Sequence, residues 1–175
     1  KFNGSEASAQ TAFEVPSGAR TLTAYEHCNL HDLWAAAPQT MAQVWLAEAD
    51  ALESKGSPYN ASHFPEGWSG KVAGHMPVLV INGTKATVTV NHGMSSVHFI
   101  DTIYVRDQNG AVVHMKKYDG SETSAQTAFE VPSGATTLTA YEHCNLHGLW
   151  AASPQTVAWE QTAAQFMAQA QGGLP

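Results

Sequence analysis

The sequence predicts an all-β fold, an immunoglobulin-like antiparallel β-sandwich of about seven strands with a helix added after each repeat. Three observations predict it. Short segments of alternating apolar and polar residues recur at the spacing of sandwich strands. Asn82-Gly83, a strong hairpin signal, joins two of them. Helical apolar stripes fall only behind the two copies of a long internal repeat.

That repeat sets the order of the chain. Residues 1–40 and 117–156 align at a fixed offset of 116 with 34 identities, the six differences being Phe2/Tyr118, Asn3/Asp119, Ala7/Thr123, Arg20/Thr136, Asp32/Gly148 and Ala37/Ser153. A period this long suits a domain repeat rather than a solenoid. Within each copy, Ala125–Val131 reads as a short strand closed by the turn Pro132-Ser133-Gly134. Thr136–His143 follows, rich in β-branched residues, with Leu138, Ala140 and Cys144 on one side and His143 on the other. Behind the first copy, Met41, Val44, Trp45, Ala49 and Leu52 form a helical stripe after Pro38. Behind the second, Trp159, Ala163, Phe166, Met167 and Ala170 do the same after Ser153-Pro154. Residues 56–70 are turn-rich and read as a linker or irregular arm. Pro77–Ile81, Lys85–Asn91, His98–Arg106 and Ala111–Met115 complete the strands.

Composition removes several function classes. The 175 residues carry a net charge of −7, which argues against a nucleic-acid or anionic-membrane partner. No apolar run approaches the roughly 20 residues that span a bilayer. The first residue is lysine, so an earlier segment is expected to have been removed or left out. A periplasmic or extracellular location is favoured over the cytoplasm.

The chemistry concentrates in Tyr141-Glu-His-Cys-Asn-Leu-His-Gly-Leu-Trp150 and its near-copy Tyr25–Trp34. Each holds one of the two cysteines, with a histidine three residues on: Cys144 with His147, and Cys28 with His31. Such a pair closes on one metal ion if the backbone turns between its members, and Asn145 suits the turn. The identical contexts read as a duplicated ligand loop rather than a disulfide. Three more histidines, His75, His92 and His98, fall near strand ends, where five donors can converge. His27, His63, His114 and His143 read as surface or packing residues.

Gly70–Pro77, Asn91–Ile100 and His143–Trp150 together resemble the iron domain of superoxide reductases, the desulfoferrodoxin and neelaredoxin family, over about residues 64–152. The resemblance implies a mononuclear non-haem iron (Fe2+/Fe3+) held by four imidazoles, His75, His92, His98 and His147. Cys144 would be the axial thiolate, with one position open. It implies one-electron reduction of superoxide to hydrogen peroxide. These donor types suit zinc or copper as well. The family's Glu-Lys pair before the first ligand is replaced by Ala73-Gly74, which leaves Lys71 as the candidate to attract the anion. No cysteines remain for a rubredoxin-like domain, so electrons are expected from an external donor such as a rubredoxin-like protein.

The expected organisation follows. Residues 1–37 are the C-terminal half of a first superoxide-reductase-like module, 38–63 a helix and linker, 64–152 a complete module, and 153–175 a C-terminal helix. Cys28 and His31 then form a second site only if a histidine triad comes from elsewhere, by self-association or from a tandem partner module. The alternative reading is a structural, fibre-forming module in which the metal is a staple.

Overall fold

In a computed structural model, residue 11 and residues 20–159 are described. The chain divides into two compact units, residues 1–44 and 45–175.

The first unit carries two short antiparallel ladders. β1 (Thr21–Leu22) pairs with β4 (Gln39–Thr40), and β2 (Tyr25–Cys28) pairs with β3 (Asp32–Ala35). The β2–β3 turn needs one left-handed residue. Asp32 supplies it at φ 63, the one described non-glycine residue with positive φ. Aspartate tolerates this better than most residues, at a cost of roughly 1 kcal/mol relative to glycine. The ladders bury little: Tyr25, Leu30, Leu33 and Trp34 are 66%, 80%, 64% and 59% exposed.

The helix α1 (Met41–Glu53) does not start at Pro38. Gln39 and Thr40 are still extended, and Thr40 caps the helix. The Gln43 amide donates to Thr40 Oγ1 at 3.2 Å, and the Thr40 amide donates back to Gln43 Oε1 at 2.8 Å, a reciprocal capping box.

The second unit is mostly antiparallel β structure. One sheet orders β5 (Val78–Asn82), β6 (Lys85–Val90) and β9 (Ala125–Glu130). The other orders β11 (Gly148–Ala151), β10 (Thr137–Cys144), β7 (Ile100–Asp107) and β8 (Val112–Lys117), with β12 (Gln155–Thr156) also on β10. Both sheets feed one core: Ala86, Val88 and Val90 meet Ile103, Val105, Leu138 and Ala140, all nearly inaccessible. The alternation read from the sequence is the reason, since every second side chain of β6 and β10 turns inward.

The other face of the five-stranded sheet is covered by α1. Its Ala49 is fully buried beside Tyr104, Val112, Met115 and Leu149. Arg106 ties the helix down through Asp50 at 2.7 Å and Glu53 at 2.9 Å. Of the expected helix and linker, residues 38–63, those from Trp45 onward lie in the second unit. The turn-rich arm is ordered too: Tyr59 runs beside β11, its amide donating to Leu149 O and its carbonyl accepting from Ala151, both at 2.8 Å.

Pro154 does not begin a helix either. Gln155–Thr156 is the strand β12, and Trp159 donates through Nε1 to Ala135 O at 2.7 Å. The expected C-terminal helix otherwise falls on residues 160–175, outside the described residues, as does the strand expected before residue 20.

Two outcomes test this packing. A Cβ on Gly120, at φ +87, would lie 2.6 Å from Ser95 O and 2.9 Å from Phe99 Cδ1. Gly120→Ala should cost about 2–4 kcal/mol, read from the urea midpoint. Gly83→Ala, with open space around it, should cost about 1 kcal/mol through its φ alone.

His114 of β8 packs flat on Phe129, ring centres 4.6 Å apart, and its Nε2 meets Thr127 Oγ1 at 2.7 Å. Burial, then Lys116, lowers its pKa to about 4. The folded state thus favours neutral imidazole. Its contribution is complete above the usual 6.5 and is lost as pH falls toward 4. His114→Gln should flatten the fall in melting temperature across that window.

Candidate metal centre

Five side chains from four places in the second unit meet at one end of the sandwich. His75 ends the single-turn helix α2 (Val72–His75). Its Nδ1 lies 2.8 Å from the Lys71 carbonyl, which can only accept. Nδ1 therefore carries the proton and Nε2 is left bare, facing the cluster. His92 follows β6, and its Nδ1 is held the same way by its neighbour's carbonyl, Gly93 O. His98 lies in the short loop before β7, pinned by backbone and side-chain bonds to Ser95. Cys144 ends β10, and His147 follows in the turn to β11.

The donor atoms form a connected set. His75 Nε2 to His147 Nδ1 is 3.1 Å, and His98 Nε2 lies 3.2 Å from both His147 Nδ1 and His92 Nε2. Cys144 Sγ is 3.5 Å from His147 Nδ1 and 3.9 Å from His92 Nε2. All five lie within 4.8 Å of one another, the one group of three or more such residues among those described. Nitrogens bound to one metal at about 2.1 Å, at right angles, sit roughly 3 Å apart. The spacing fits a shared ion, and the set can hold a metal.

Electrostatics favour the neutral bases that a metal needs. Burial lowers the pKa of His75 to about 4. Burial also lowers His92, with His98 and Lys71 adding to it, and lowers His147, with Lys71 next. Burial raises the Cys144 thiol, while the backbone amides of Leu146 and His147 pull it down by donating toward the sulfur. His75 and Cys144 are buried, whereas His92, His98 and His147 are half-buried, so the cluster opens to solvent on their side.

Lys71 stands close to this opening. Its ammonium is 5.8 Å from the Trp68 ring centre, and that ring meets His147 edge-on at 5.2 Å. Trp150, fully buried, stacks on His75 at 5.2 Å. Cys28 and His31 also come together, Sγ to Nδ1 being 3.3 Å, but no third donor joins them among the described residues.

Two residues were not singled out as site residues. Asn145 clamps the histidine loop to the cysteine turn. Its amide donates to Phe99 O at 3.1 Å, its Oδ1 accepts from the Phe99 amide at 3.0 Å, and its Nδ2 donates to Val97 O at 3.1 Å. The turn preference of asparagine marked the position, but its partners are 46 and 48 residues away. Glu142 is the second. The alternation that turns Cys144 inward turns Glu142 inward as well, fully buried and with both carboxylate oxygens unpartnered among the described residues. Burial, then Asp101, raises its pKa well above the usual carboxylate range.

Two measurements follow. In the metal-free protein, histidine NMR should show His75 neutral down to about pH 4. Glu142 is protonated in the fold and ionised in the unfolded chain once pH exceeds about 4.5, so it destabilises increasingly as pH rises. Glu142→Gln should raise the melting temperature at pH 7.5 more than at pH 4.5.

Residues 69–153 match the family model described as Desulfoferrodoxin. A desulfoferrodoxin homolog of Archaeoglobus fulgidus is 38% identical over 79 residues, covering 43% of this chain and 59% of that protein. The chain thus spans under two thirds of that relative. Among solved structures, the superoxide reductase (1Fe-SOR) of Giardia intestinalis aligns at TM-score 0.43 and 20% identity, covering 47% of this chain and 97% of its own. The superoxide reductase of Treponema pallidum aligns at 0.42 and 28%, covering 48% and 68%. The neelaredoxin of Ignicoccus hospitalis aligns at 0.48 and 19%, covering 59% and 95%. Residues 69–153, just under half of the chain, are thus similar to the desulfoferrodoxin family.

Proposed function

We propose that the second unit is a superoxide reductase whose iron is held by His75, His92, His98, His147 and Cys144. The observation that carries this reading is the convergence of those five donor atoms within 4.8 Å. Neutral imidazoles with one thiolate fit iron, and by donor chemistry they fit zinc or copper as well. When bound, iron supplies the single electron that superoxide takes up, with two protons, to become hydrogen peroxide.

The chain's own residues do the rest. The Lys71 and Gly93 carbonyls fix the tautomers of His75 and His92, which keeps both Nε2 lone pairs on the centre. The amides of Leu146 and His147 stabilise a thiolate on Cys144. Trp150 covers the His75 side, leaving the half-buried imidazoles of His92, His98 and His147 as the approach for a small anion. Lys71 gives that approach a positive charge and takes the place of the lysine missing at Gly74. An external donor such as a rubredoxin-like protein restores the electron.

Mixing reduced protein with superoxide should yield one peroxide per oxidised centre and no oxygen; catalytic oxygen release would sink the reading. Lys71→Gln should slow the reaction several-fold at low ionic strength and erase most of its salt dependence in stopped-flow measurements. Cys144→Ser should remove the thiolate charge-transfer band of the oxidised protein.

A second reading, an assembly module with the metal as a staple, is favoured by one observation: the partial repeat exposes Leu33 and Trp34. Zinc as the native metal, with no peroxide formed, would select it.

A further inference from the structure

Residues 21–40 differ from residues 137–156 only at Asp32 and Ala37, in place of Gly148 and Ser153. The two segments fold alike. Cys28 pairs with Asp32 and Tyr25 with Ala35, as Cys144 pairs with Gly148 and Tyr141 with Ala151. Their Sγ–Nδ1 distances, 3.3 Å and 3.5 Å, match as well. Only the surroundings differ: Leu149 and Trp150 are 6% and 0% exposed, against 64% and 59% for Leu33 and Trp34.

The buried copy shows what covers such a hairpin. Tyr141 stacks on Tyr104 at 4.7 Å, Trp150 on His75, and Cys144 reaches His92. All three partners lie within residues 41–118, which every copy of this chain supplies. The substituted position also fits: a Cβ on Gly148 would meet Tyr59 Cε2 at 3.6 Å, an ordinary contact. Asp32 already holds the required φ, 63 against 71.

We propose that hairpin β2–β3 is an alternative occupant of the β10–β11 slot in a second copy of this chain, where Cys28 and His31 complete the cluster with that copy's own histidine triad. This rests on reading the five-donor cluster as a metal site. In the intact chain the C-terminal hairpin keeps the slot, because it is covalently adjacent and its glycine is unstrained. Exchange buries and exposes the same side chains, so apolar burial does not oppose it. Metal binding then decides, favouring whichever hairpin carries both donors.

The full-length Cys144→Ser protein tests this when loaded with Co2+ and compared with the unaltered chain by absorption and light scattering. Only Cys28 is left to give a thiolate charge-transfer band. The band should appear in a species of at least twice the chain mass, and should vanish with Cys28→Ser or with His75→Ala added. Absence of the band, its presence in a monomer, or its survival in the His75→Ala background would each overturn the exchange. If the unaltered chain binds no Co2+ at Cys144, the metal reading fails and takes this inference with it. A denatured Cys144→Ser protein would be recognised by circular dichroism, and Cys144→Ala then replaces it with the same readouts.

Discussion

Three hydrogen bonds, two donated by Asn145 to Phe99 O and Val97 O and one accepted by its Oδ1 from the Phe99 amide, hold the cluster together. They join the turn bearing Cys144 and His147 to the loop bearing His98. The same place carries a register shift: His143 pairs with Thr102 while Cys144 pairs with Ile100, skipping one residue. Such a bulge re-aims side chains at a sheet end. The sulfur of Cys144, at the end of β10, lies 3.9 Å from His92 Nε2 and 3.5 Å from His147 Nδ1.

The site is built from neutral parts. Burial holds His75 neutral and raises both the Cys144 thiol and the Glu142 carboxyl. A bound cation would favour the thiolate form of Cys144. Lys71 stands outside this desolvated centre and adds a field without adding a ligand.

The two hairpins separate local from tertiary causes. Nearly the same twenty residues take nearly the same conformation in two settings, down to the Trp Nε1 that donates to the preceding His carbonyl in each, at 2.7 Å and 3.2 Å. Local sequence is therefore enough to form the turn and bring cysteine to histidine. It is not enough to make a five-donor cluster, nor to hide Trp34, because burial needs a sheet to pack against.

The sequence by itself determined the β character and most strand positions, since alternation and turn residues are local patterns readable one segment at a time, and it marked five candidate donors near strand ends. It misplaced the start of α1, because Thr40 and Gln43 cap better than Pro38 and a short ladder extends to Thr40. It gave residues 38–63 as a helix and linker without their partners, because nothing local shows that Ala49 fits beside Tyr104 or that Tyr59 lies along β11. Only the tertiary structure decided which nitrogen each histidine turns inward, what Asn145 grips and that Glu142 is buried unpaired. Those outcomes depend on groups tens of residues apart meeting in space, and no local pattern encodes the meeting.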